Sequence, residues 1–121
     1  MGAETMMQSV LVGEALDAAD YVVLVADRWM HYVAVTRAAA ELLGYSRDEL
    51  LALRIPDVVV ESNAEELFEE FLRVRAQRGT VTLRAKDGRE IVCTYDAREA
   101  SLGGLPLYVS VLTPASASTV A

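Results

Sequence analysis

Apolar residues change their spacing along this chain, and each change marks a different kind of element. Met7, Val10, Leu11, Ala15, Leu16 and Ala19 recur at three- and four-residue steps, with Glu14 and Asp17 between them. That is the period of an amphipathic helix, although Gly13 in its middle weakens it. The stripe is wider than one packing face needs, so it either covers the domain's own core or forms a dimer contact. Tyr21 to Ala26 (YVVLVA) is then a continuous β-branched and aliphatic run, the pattern of a buried strand. Asp27-Arg28 interrupts it and Met30 to Val35 resumes strand character, close enough to form a hairpin.

The next third is helical and well punctuated. Thr36 offers a hydroxyl to cap a helix through Leu43, and Gly44 supplies a left-handed stop. Ser46 and Glu49 have the spacing of a capping box before Leu50 and Leu51. Pro56 ends or bends that region, and Val58 to Val60 is too short to assign. Ser62 and Glu65 give a second box, predicting a helix that runs to about Arg78 and stops at Gly79. Leu67, Phe68, Phe71 and Leu72 share one face of it. Glu65, Glu66, Glu69 and Glu70 take the other, with Glu69 and Arg73 spaced for an ion pair.

In the last third the period falls to two. Val81, Leu83 and Ala85 alternate with Thr80, Thr82 and Arg84; after an Asp87-Gly88 turn, Ile91, Cys93, Tyr95 and Ala97 alternate with polar neighbours. Ser101 to Gly104 is a second turn. Leu107, Val109 and Val111 then alternate with Tyr108 and Ser110, Pro114 ends the strand, and residues 114–121 read as a flexible tail. Strands flanking a helical insert predict an α+β domain with helices gathered on one face of an antiparallel sheet.

Composition narrows the chemistry. With 121 residues the chain buries about two-thirds of its surface on folding, enough for one core. Eighteen acidic against eleven basic side chains give a net charge of −7, which argues against nucleic acid or an anionic membrane as the main partner. One cysteine, Cys93, cannot close an internal disulfide and fits a reducing compartment. One histidine, His31, leaves no metal-ligand spacing and no triad. With no basic, apolar leader and no apolar run of membrane length, the expectation is a soluble cytoplasmic domain.

Two stretches carry a resemblance. Val35 to Leu50 (VTRAAAELLGYSRDEL) is similar to the "V-N-x-A-A-x-x-L-L-G-Y-S-x-x-E-L" segment of PAS domains, and Leu83 to Glu90 (LRAKDGRE) is similar to their Lys-Asp-Gly hairpin. The likeness extends over about residues 14–113, leaving residues 1–13 as an extension. It implies a PAS-like five-stranded antiparallel sheet with helices on one face, a pocket between them, and a sensor or interaction module without catalytic residues. The family is commonly dimeric and attached to a histidine kinase, cyclase or transcription factor. Thr36 stands where the family often has Asn, and Val111 to Pro114 lacks the family's Asp-Ile-Thr-like ending, which favours a free-standing protein.

The family's cofactor classes also bear on these residues. The segment at Ile55 to Val58 has no cysteine for a flavin adduct, and residues 64–78 hold no histidine for haem. Neither covalent flavin nor histidine-ligated haem is therefore expected. A ligand, apolar or carboxylated, would be lined by Phe68, Phe71 and Leu72 from the long helix and by Cys93, Tyr95 and Val109 from the strands. Arg54, Tyr95 or Thr36 would supply polar recognition, with Arg54 the partner for a carboxylate. Met7, Val10, Leu11, Ala15 and Leu16 would form a homodimer interface. Competing readings are a ligand-free docking module and a small enzyme with Asp96 as general base. The polar phase of Asp96 and the lack of a second catalytic group count against the enzyme.

Overall fold

β-Branched side chains suit a pleated surface, and the valine-rich run forms a strand, β1 (Val22–Ala26), in the computed structural model, which describes residues 19–115. The Asp27 carboxylate then accepts from the backbone N–H groups of Trp29 at 2.9 Å and His31 at 3.0 Å. This turn returns the chain as β2 (Tyr32–Val35). Helices α1 (Arg37–Leu43), α2 (Arg47–Leu51), α3 (Ile55–Val58) and α4 (Ala64–Val74) follow. Three long strands close the domain: β3 (Ala76–Arg84), β4 (Glu90–Leu102) and β5 (Leu105–Pro114). The sheet order is β2-β1-β5-β4-β3, with every neighbouring pair antiparallel. The helices thus carry the chain from one edge of the sheet to the other.

They cross on one face. Directly paired residues share a face of an antiparallel sheet. The register Leu24–Ser110, Ala97–Ser110 and Tyr95–Leu112 therefore defines an inner face that continues through Val81–Cys93 and Leu83–Ile91. Ala39, Ala40 and Leu43 of α1, Leu50 of α2 and Val58 of α3 pack with Leu24, Leu83, Ile91, Cys93 and Leu112 in one buried cluster. A second cluster joins Phe68 and Phe71 of α4 to Met30, Ala97 and Tyr108.

Thr36 fixes where this crossing begins. Its buried hydroxyl donates to the Tyr21 carbonyl at 2.6 Å and accepts from the N–H groups of Val23 at 3.0 Å and Ala39 at 3.4 Å. One side chain thereby caps α1 and fastens it to β1. Gly44 stops α1 at φ 76°, and Ser46 with Glu49 forms the anticipated capping box of α2. The two stretches that carried the family resemblance touch each other. Lys86 donates from its backbone N–H to the Leu43 carbonyl at 2.8 Å and from Nζ to Glu49 at 2.6 Å.

Several expectations need correction. The long helix does not run from a Ser62/Glu65 box to Gly79. Asn63 precedes it without a side-chain cap, and it stops at Arg75, which takes φ 64°. Gly79 lies in β3 for another reason: a Cβ there would come within 3.2 Å of the Tyr95 ring stacked across from it. Arg73 pairs with Glu70, not with Glu69. β4 and β5 are longer than expected and meet at Gly103-Gly104, both at positive φ, which suits a two-residue turn. The inner phase of β5 is Tyr108, Ser110 and Leu112, opposite to the apolar alternation. Ala26 and Leu24 opposite Tyr108 and Ser110 set that register, which local sequence cannot supply. Pro114 still pairs, with Cys93. The N-terminal helix and its Met7, Val10, Leu11, Ala15 and Leu16 stripe lie outside the described residues.

Removing the Thr36 hydroxyl strands a buried Val23 N–H and uncaps α1. Thr36→Val should cost about 2–3 kcal/mol in urea unfolding, and Thr36→Ser less than about 1 kcal/mol. Equal losses in the two variants would contradict the role given to the hydroxyl.

Candidate functional site

Between the inner face and the helices lies a cavity of about 110 Å³. β1 contributes Leu24 and Ala26, β2 Tyr32, β3 Val81 and Leu83, β4 Tyr95, and β5 Tyr108, Ser110 and Leu112. The helical side supplies Ile55, Val59, Phe68 and Phe71. These positions follow from period: every strand residue among them belongs to the inner phase, and Phe68 and Phe71 stand one turn apart on the buried stripe of α4.

Three aromatic rings shape one wall. Phe68 and Phe71 each meet Tyr108 edge to face at 5.4 Å between centroids, and lie 6.1 Å from each other. Such tilted contacts match the positive ring edge to the negative face. The residues with polar side chains in the lining are Tyr32, Tyr95, Tyr108 and Ser110; no acid, base or imidazole is among them. Burial, then the Asp57 carboxylate, pushes the Tyr32 phenol well above its ordinary range, and burial also raises Tyr95. For Tyr108, burial leads, the Glu99 charge adds to it, and Arg28 and Arg75 oppose it.

Of the residues singled out from sequence, Phe68, Phe71 and Tyr95 come together around this cavity, and the others do not. Leu72 is partly buried and packs against the cluster that holds Phe68 and Phe71, without lining the cavity. Cys93 is fully buried in the adjoining cluster, where burial raises its thiol pKa and its Sγ–H points to the Ile91 carbonyl at 3.9 Å. Val109 faces away, in the phase of Val25, with which it pairs. Arg54 braces the β1–β2 turn: its Nε and Nη2 donate to the Trp29 carbonyl at 3.2 and 3.1 Å. The Thr36 hydroxyl is committed to the backbone. Tyr32, Tyr108 and Ser110 were missed, Tyr32 because a lone aromatic on a short strand gives no phase, and Tyr108 and Ser110 because the apolar alternation of β5 points to the other face.

The remaining reactive groups lie elsewhere. His31 is exposed, with Nδ1 3.6 Å from Asp27. Asp96 is on the outer face between Arg78 at 3.2 Å and Arg98 at 3.3 Å. Among the described residues no group of histidine, cysteine and carboxylate side chains converges on a metal position, and no helix is long and apolar enough to cross a membrane.

A one-sided antiparallel sheet, a helical crossover and a cavity between them define an α+β domain with its helices on one face. The family model described as PAS fold matches residues 12–103, and the chain belongs to the PAS family. Among solved structures, it resembles a PAS domain from a two-component sensor histidine kinase (15% identity over 90% of this chain and 97% of that one, TM-score 0.81). The PAS domain of an HTR-like protein from Haloarcula marismortui aligns at 14% identity over 90% and 93%, with a TM-score of 0.78. A domain of a sensory box sensor histidine kinase/response regulator from Geobacter sulfurreducens aligns at 23% over 92% and 98%, with a TM-score of 0.74. At these identities the likeness is one of fold. No curated protein sequence matches the chain.

The raised phenols set a pH dependence. Their protons are held more tightly in the folded chain than at the ordinary 10.0, so the stability they contribute is present below pH 10.0 and lost as pH rises beyond it. Phenolate absorbance at pH 10.0 should be smaller for the native protein than for the urea-unfolded chain. Coincident titration curves would contradict the buried placement.

Proposed function

We propose that this PAS domain is a signal-sensing module that binds a small molecule non-covalently in the inner-face cavity and performs no chemistry on it. The observation that carries this reading is the cavity itself, walled by the sheet on one side and by helical-side residues Ile55, Val59, Phe68 and Phe71 on the other. An occupant touching both walls biases their relative position, which is what converts binding into a signal. The lining offers neither an acid–base pair nor a nucleophile with an adjacent base, so binding is the activity it supports. Asp96, on the outer face, is held by two arginines and is remote from this lining.

Native mass spectrometry of protein taken directly from the expressing cell tests this. A stoichiometric extra mass that is lost on denaturation is the expected result. A clean apo mass would replace the sensor reading with that of a docking module, whose partner class is a kinase, cyclase or transcription factor.

A homodimer is the second element of the proposal. The apolar stripe of Met7, Val10, Leu11, Ala15 and Leu16 is broader than a helix needs to cover one core. Leu11→Asp and Leu16→Asp should each give a monomer in light scattering. A dimer unchanged in both variants would remove this stripe from the interface.

A further inference from the structure

The cavity also restricts what the sensor detects, an inference that rests on the sensing function proposed above. We infer that its ligand class is a neutral single-ring aromatic carrying one hydrogen-bonding group, a molecule of the size and polarity of phenol.

Size is the first constraint. Apolar cavities of roughly 150 Å³ accept benzene, and the space here is about 110 Å³. The space is smaller than that, so one ring is the upper limit and enters with a small outward movement of the helical wall. Shape is the second. Phe68, Phe71 and Tyr108 already pack edge to face, and a fourth ring extends that arrangement with the same electrostatic match.

Charge is the third constraint. No charged side chain lines the cavity, and Arg54 donates to the Trp29 carbonyl outside it. A carboxylate placed here would lose its water with no cation to replace it. Polarity is the fourth. Tyr32 is only 5% exposed, and among the described residues the hydroxyls of Tyr32, Tyr95 and Ser110 make no hydrogen bond. A ligand hydroxyl can both donate to and accept from such groups.

The test is calorimetric or NMR titration of the full chain with phenol, benzene and benzoate, beside the native mass measurement. Phenol should bind at least about tenfold more tightly than benzoate. Tyr32→Phe or Ser110→Ala should weaken phenol about tenfold and leave benzene within about twofold, each variant being checked for an unchanged thermal transition. Benzoate binding as tightly as phenol would overturn the inference while leaving the sensor function intact. So would a charged or larger ligand found on the protein from cells, or phenol affinity indifferent to both substitutions. If no ring binds and no ligand accompanies the protein from cells, both the ligand class and the sensor function fall.

Discussion

The Thr36 hydroxyl is the interaction on which the arrangement turns. It sits at the point where the chain leaves the sheet, bonded at once to the Tyr21 carbonyl, the Val23 N–H and the Ala39 N–H. A cap normally satisfies one end of a helix. This one also holds the helix against β1, and so sends the crossover along the inner face. Asn, frequent here in PAS domains, caps helices as well, but threonine adds a methyl group that suits a residue only 5% exposed. At the other end of α1, the Lys86 bonds to Leu43 and Glu49 bring the β3–β4 turn against the helices. The crossover is therefore pinned at its start and again beyond Gly44.

Such pinning accounts for the position of the cavity. α1 and α2 are held close to the sheet and fill their side with Ala39, Leu43 and Leu50, all buried. The segment from Ile55 to Phe71 lies farther along the crossover, where Val60 N–H to Thr82 carbonyl and the Glu61 carboxylate on the Thr82 N–H tie it to the edge strand β3. The cavity opens between these two attachments. Its apolar wall and neutral hydroxyls follow from the inner phase of five strands. The protein's excess negative charge is spread over exposed side chains, in solvent-screened ion pairs such as Arg37–Glu41.

Much of this was legible in the sequence for identifiable reasons. The α1 cap and stop, the α2 capping box and the Asp87-Gly88 turn are local events, governed by residues within four positions of one another. The continuous run at Tyr21 to Ala26 read as buried because both faces of an interior strand carry apolar side chains, Val23 on one and Leu24 on the other, although Tyr21 itself precedes the strand and is exposed. Phe68 and Phe71 reached the cavity because a helical stripe has a single buried side. Failures came where distant residues decide. The inner phase of β5 depends on its pairing with β1, which placed Tyr108 and Ser110 inward and Val109 outward. Gly79 resembled a helix stop, whereas its role is to leave room for Tyr95. Arg54 looked like a ligand's partner until the fold brought the Trp29 carbonyl to it.

Native-state amide hydrogen exchange tests the central claim most directly. If the Thr36 clasp joins β1 and α1 into one cooperative unit, the Val23 and Ala39 amides exchange only through global unfolding, with the free energy obtained from urea denaturation. Exchange of either amide through a local opening of much lower free energy would contradict that account, because α1 would then leave the sheet independently and the crossover would not be anchored at its start.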